Sequence, residues 1–270
     1  MATPGGDGTP VVCCDLDGVF WRGDEPIAGS ADAFARLRTA GLRVAFVTNN
    51  SNLRVGDYLQ KLERFGIEVE ADALVTSAQA AAALLARTLA PGAKVLACAG
   101  PGVVEALQAA GLEPVVDDHV EAVVVGWHRD FDYDAMTRAS SAVRSRARFV
   151  ATNLDATYPV PGGVIPGAGA IAAAVATAAG QTPEVAGKPA APMADLVRRR
   201  FGSSGLVVGD RPSTDGAFAD TIGWPFALVL SGVASATPGP ADEAIPVPAP
   251  PFVGENLAGL VPRIIEALTG

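Results

Sequence analysis

Short apolar runs alternate along this chain with longer segments in which apolar residues recur at helical spacing. The runs predict strands at Val11–Leu16, Arg43–Thr48, Ala73–Thr76, Lys94–Ala97, Ala122–Val125, Phe149–Thr152, Glu184–Gly187, Gly205–Gly209 and Phe226–Leu230. The first of them opens with four small apolar residues in succession, without the alternation of a half-exposed strand, which is the pattern of a central strand buried on both faces. The segments between predict helices at Asp32–Ala40, Val55–Phe65, Ala78–Leu89, Val103–Ala110, Tyr133–Ser145, Ala168–Ala179, Pro192–Phe201, Gly216–Ile222 and Leu257–Leu268. Ser30 is available to cap the first helix, and Gly41 stands just past its end. Strand and helix alternating in this way imply α/β units around a parallel sheet.

The middle of the chain has enough strands and helices for a core of its own. Residues 91–182 are therefore read as a smaller α/β domain inserted into a larger one formed by 1–90 and 183–270. The proline-rich stretch Pro238–Pro251 reads as an irregular surface crossing, because a strand and helix still follow it. At 270 residues the length suits two domains.

Composition narrows the function. The hydrophobic fraction of 49% is mostly Ala and Val, with 6% aromatic. Mean hydropathy is +0.30, yet the longest apolar candidate, Gly167–Gly180, is too short to span a bilayer. Residues 1–10 hold no basic residue and no apolar core of a signal peptide, so a cytoplasmic enzyme is the expectation. A net charge of −9 and a pI near 4.7 argue against nucleic acid and anionic membrane as partners. Cys13, Cys14 and Cys98 lack disulfide or metal spacing and are expected in the core.

Chemistry concentrates where strands are expected to end. Asp15 and Asp17 follow the buried run Val11–Cys14, just before Gly18. An acidic tip at the carboxyl end of a parallel strand is the usual place for an active site in such sheets. Thr48-Asn49-Asn50-Ser51 follows the second strand and offers hydroxyl, amide and main-chain donors. Lys188, before Pro189, supplies a cation, and Gly209-Asp210 with Thr214-Asp215 adds two carboxylates after another strand. Each segment alone also fits a turn, a helix cap or a solvated loop. Thr214-Asp215 in particular suits a helix N-terminus, with Thr as cap. Their order and common placement point to a catalytic set.

With these motifs the chain resembles the haloacid dehalogenase-like phosphatases, in the NagD-like and para-nitrophenylphosphatase-like branch. The resemblance runs over nearly the whole chain and includes Asp15-Leu16-Asp17-Gly18-Val19, Thr48-Asn49-Asn50-Ser51, Gly187-Lys188-Pro189 and Gly209-Asp210 with Thr214-Asp215. It extends to Val125-Gly126, Ala151-Thr152-Asn153 with Asp155, and Pro166-Gly167-Ala168-Gly169. It implies a Rossmann-like doubly wound core with an inserted α/β cap of type C2. The implied activity is Mg²⁺-dependent hydrolysis of a small phosphorylated metabolite, of the glycerol phosphate, phosphoglycolate, sugar phosphate or para-nitrophenyl phosphate kind.

Asp15 is then the nucleophile that forms an aspartyl-phosphate, and Asp17 the acid and base. The metal ligands are Asp15, the main-chain carbonyl of Asp17, and Asp210, with Asp215 orienting Lys188 or a water on the metal. Thr48, Asn49, Asn50 and Lys188 bind phosphate. From the cap, Asp155 and Tyr158 are the expected readers of the leaving alcohol. Tyr158 stands where pyridoxal-phosphate phosphatases of the branch carry a histidine, which counts against that substrate. Gly163–Gly169 reads as a border of the site or as a turn into the following helix. Trp21 and Arg22 read as neighbours of the cap, with packing the other reading for Trp21. His119 and His128 receive no role, and Asp117-Asp118 reads as a solvated turn. A homodimer through the cap also follows from the resemblance.

Other functions remain on the same residues. A phospho-accepting switch or phosphate-binding module also uses an aspartate at a strand end and a distant lysine, but leaves Asp17 and the inserted domain unexplained. Carbon–halogen hydrolysis leaves Asp17 and Asp210 unexplained. Phosphotransfer to an alcohol uses the same nucleophile.

Overall fold

The computed structural model describes residues 8–117, 119–160, 163–235, 243–244 and 249–270. Residues 1–7, Asp118 of the expected acidic turn and most of the proline-rich crossing lie outside the described residues. The chain divides into two compact units, one of residues 1–48, 59–75 and 194–270, the other of 49–58 and 76–193.

The first unit is built on a six-stranded sheet. Its order is Phe252–Gly254, Phe226–Val229, Gly205–Gly209, Val11–Cys14, Arg43–Thr48 and Leu74–Thr76. Cys14 lies opposite Val208 on one side and Phe46 on the other, both pairings parallel. The run Val11–Cys14 is fully buried, as its unbroken apolar pattern requires. From this strand the chain first builds outward through Arg43–Thr48, then returns to build the other side through Gly205–Gly209. The reversal makes the carboxyl ends of Val11–Cys14 and Gly205–Gly209 the switch point of the sheet, where crevices open in doubly wound folds.

The second unit holds a five-stranded parallel sheet, in the order Glu184–Val185, Arg148–Ala151, Ala122–Val125, Lys94–Cys98 and Glu113–Val115. Helices Tyr133–Arg144 and Ala168–Ala179 close one core of this unit, where Val123, Val125, Val143, Phe149, Ile171 and Val175 pack together. Small residues on the alanine-rich helix let it lie close. The helix stops at Gly180, whose φ of 69° few side chains tolerate. Asp132 caps the other helix by accepting from the Ala135 N–H at 2.7 Å.

Several details differ from expectation. Ser30 is not a cap. Gly29 takes that position in the left-handed region, and the Ser30 hydroxyl donates to the Ile27 carbonyl at 2.8 Å. The strand expected to resume the first sheet at Glu184 pairs with Val150 and Ala151 of the second. Thr157–Val160 and Gly163–Pro166 form an antiparallel hairpin, so Tyr158 sits on a strand and Gly163 opens another instead of a turn. Pro212–Gly216 is a π-helical turn, and the helix after it, Ala217–Ile222, has no side-chain cap, which removes the capping reading of Thr214.

Candidate active site

Asp15 and Asp210 each stand one residue beyond the end of a central strand of the first sheet. The ladder carries on far enough to hold Asp15, whose N–H donates to the Val208 carbonyl at 2.8 Å. One carboxylate oxygen each from Asp15, Asp210 and Asp215 lies within 4.8 Å of the others. Like charges this close repel unless a cation or a proton joins them.

Asp210 and Asp215 are both buried. Asp210 Oδ2 accepts the Val233 N–H at 2.6 Å, and its main-chain oxygen accepts from Ala234. Gly18 and Gly232 flank the same carboxylate so closely that a Cβ on either would collide with it. Gly18 also has φ of 83°, a second reason for glycine there. Asp215 is held from the π-helical turn, with Oδ2 accepting the Arg211 N–H at 3.2 Å. The structure thus brings Asp215 into the carboxylate group itself. Asp17 turns its carboxylate to the Trp21 indole, whose Nε1–H donates to Oδ1 at 3.0 Å. Trp21 is fully buried, with the Lys61 ammonium 4.5 Å from its ring. Thr48 ends the neighbouring strand, also buried.

The remaining expected residues belong to the second unit. Lys188 is 3% exposed. The Asn49 side-chain amide donates to the Lys188 carbonyl at 3.0 Å and to Asp155 Oδ2 at 3.1 Å. Asn50 Nδ2 donates to the Tyr158 hydroxyl at 3.2 Å, while its Oδ1 accepts from the Asn52 N–H. The Tyr158 ring stacks on Trp127, with centroids 4.9 Å apart. Trp127 in turn donates from Nε1 to the Pro166 carbonyl. His128 faces the Gly126 carbonyl through Nδ1, and His119 is exposed.

Trp21, Val233, Gly232 and Trp127 were not among the expected site residues. Their signal is weak in sequence because each acts through a partner that only the fold brings near. Only Trp21, four residues after Asp17, was close enough to be noticed.

The haloacid dehalogenase-like hydrolase model matches residues 12–113, and a second, HAD-hydrolase-like, matches 185–260. A D-glycerol 3-phosphate phosphatase of Mycobacterium tuberculosis is 39% identical over 249 residues, 91% of this chain and 69% of that protein. The chain belongs to the haloacid dehalogenase-like hydrolase family. An acid sugar phosphatase of Staphylococcus saprophyticus is 37% identical, over 74% of this chain and 78% of its own. Among solved structures, a glycerol phosphate phosphatase from Mycobacterium tuberculosis in complex with magnesium gives a TM-score of 0.82 at 35% identity, covering 93% of this chain and 76% of that one. A p-nitrophenyl phosphatase from Archaeoglobus fulgidus gives 0.84 at 31%, covering 94% and 99%. This haloacid dehalogenase-like hydrolase is a phosphatase, of the NagD-like kind.

Proposed function

We propose that this phosphatase is a Mg²⁺-dependent phosphomonoester hydrolase that acts on a small phosphorylated metabolite through an aspartyl-phosphate. The observation that carries the reading is the meeting of the Asp15, Asp210 and Asp215 carboxylates within 4.8 Å. Three hard oxygen donors and no nitrogen or sulfur suit Mg²⁺ or Ca²⁺. Asp15, Asp210 and Asp215, with the main-chain carbonyl of Asp17, would hold the ion, which when bound supplies positive charge to the phosphoryl oxygens.

In this reading an Asp15 carboxylate oxygen attacks phosphorus while the bond from phosphorus to the leaving oxygen breaks. Asp17 gives that oxygen a proton, and the free alcohol departs. Asp17 then takes a proton from water as the water oxygen attacks phosphorus, which releases orthophosphate and restores the Asp15 carboxylate. Thr48, the Asn49 main-chain N–H and Lys188 take the equatorial phosphoryl oxygens, where negative charge is spread in the transition state. Asn50, expected to bind phosphate with this set, has its side-chain amide on the Tyr158 hydroxyl, next to the reader of the leaving alcohol. Residues 91–182 are the cap that selects the leaving alcohol, with Tyr158 as its reader. Glycerol phosphate and sugar phosphates, after the names of two relatives, are the first substrates to test, with phosphoglycolate added from the sequence resemblance.

The test is phosphate release from a panel of phosphomonoesters with and without Mg²⁺, comparing the parent chain with Asp15→Asn. Metal-dependent turnover that the variant loses supports the reading. Turnover unaffected by Asp15→Asn overturns the covalent route, and less phosphate than alcohol in the presence of an added acceptor alcohol reassigns the enzyme as a phosphotransferase.

A further inference from the structure

One buried side chain ties together three stretches of the second unit that are far apart in the chain. Asn49 Nδ2 gives both its hydrogens away, to the Lys188 carbonyl and to Asp155 Oδ2. A main-chain carbonyl and a carboxylate are acceptors, so the orientation of this amide is forced. Turned over, it would set its oxygen against both of them. As placed, Asn49 Oδ1 is buried with no hydrogen-bond partner. Gly187 lies beside it, and a side chain there would strike that oxygen. Leaving a buried amide oxygen unpaired is costly, and the two donated bonds are what the fold keeps in exchange.

The main chain of the same residue closes a circuit. The Asn49 carbonyl accepts from Asn153 Nδ2 at 2.7 Å and from Ser77 Oγ at 2.6 Å. Asn153 Oδ1 accepts the Asp155 N–H at 3.0 Å, and Asp155 returns to Asn49 through its carboxylate. Asp155 is therefore engaged inward at both its main-chain N–H and its Oδ2. Gly187 is fastened as well, its N–H donating to the Thr152 carbonyl at 2.7 Å.

We infer that Asn49 is a positioning residue for Lys188, and that Asp155 anchors Asn49 instead of reading the leaving alcohol. The inference rests on Lys188 as the phosphate-binding cation. A nearly buried ammonium cannot drift to follow its anion, so its reach is set by where the main chain at Lys188 is held. Asn49 holds it by the carbonyl, and Asp155 fixes Asn49.

The experiment uses the full-length enzyme loaded with Mg²⁺ and compares Asp155→Ala, Asp155→Asn, Asn49→Ala and the double variant Asn49→Ala/Asp155→Ala. It reads competitive inhibition by inorganic phosphate, and kcat and KM for glycerol phosphate, a sugar phosphate and p-nitrophenyl phosphate. Asp155→Ala should weaken phosphate inhibition and raise every KM by a common factor, on the order of tenfold, with substrate ranking unchanged. Asp155→Asn keeps an acceptor oxygen and should recover parent-like values in both readouts. The double variant should be no worse than the weaker single one, because both break one circuit.

A changed ranking with unchanged phosphate inhibition overturns the inference and makes Asp155 a reader of the leaving group, as do additive losses in the double variant. Should Asp155→Ala not fold, Asp155→Asn alone decides, since a charge-dependent reader would lose its ranking there. Calorimetric titration with inorganic phosphate separates this inference from the proposed activity. Weaker binding by Asp155→Ala supports it even in an enzyme that turns over none of the panel, and equal binding overturns it.

Discussion

Asp210 shows how much of a buried carboxylate's placement is done by residues without functional groups of their own. It is clasped by Gly18, Gly232 and the Val233 N–H, two of them from a segment with no motif. Gly232→Ala should therefore act as a site variant: phosphate release falls by about a hundredfold or more at fixed Mg²⁺, in line with the cost of small misplacements, while circular dichroism stays native. Trp21 works on Asp17 in the same indirect way. Trp21→Phe keeps the ring beneath Lys61 and removes only the N–H to Asp17. It should lower kcat for glycerol phosphate by about tenfold or more and kcat for p-nitrophenyl phosphate by less, because a nitrophenolate departs without a proton while both substrates share the water step that Asp17 serves. Equal losses on both would place the effect on that shared step, and no loss on either would leave the indole N–H without a role in turnover. At this scale the sequence revealed the acidic and basic groups, whose types announce their chemistry. It concealed Gly232, Val233 and Ser77, which contribute through main-chain geometry or ordinary polar contacts.

Among the elements, those with an unambiguous period were the legible ones. Gly205–Gly209, Ala122–Val125 and Ala168–Ala179 form at their expected bounds, because continuous apolar runs and an alanine-rich stretch between glycines admit few alternatives. Glu113–Val115 escaped notice because an edge strand containing Pro114 has no apolar period. The hairpin with Tyr158 was hidden in the same way by Pro159 and Pro166. The sheet joined by Glu184–Val185 was not readable at all, since a two-residue strand carries no signal of its partner. Caps follow local chemistry more simply. Asp132→Ala removes the acceptor for the Ala135 N–H and should cost about 1 kcal/mol in a urea titration, with kcat unchanged.

For the whole molecule, the three cysteines are buried and none is in a disulfide, and no helix of the described residues is long and apolar enough to cross a membrane. Burial pushes the Cys98 thiol up to about 12 from an ordinary 9.0. Between these values the unfolded chain has given up a proton that the folded one keeps, so this contribution to stability is whole below pH 9 and is lost as pH rises toward 12. The urea midpoint should fall between pH 8 and pH 10, and fall less in Cys98→Ala, as denaturation curves at the two pH values would show. The circuit through Asn49 also sets a rule for building hybrids between relatives. Its members come from 49, 77, 153–155 and 187–188, on both sides of the 91–182 boundary drawn from sequence. A chimera that exchanges only 91–182 keeps Asn49 and Lys188 from one parent and takes Asn153 and Asp155 from the other. Exchanging 91–182 together with 49–58, 76–90 and 183–193 transplants the circuit whole, and is the design whose hybrid should keep a parent's affinity for inorganic phosphate where the shorter exchange loses it.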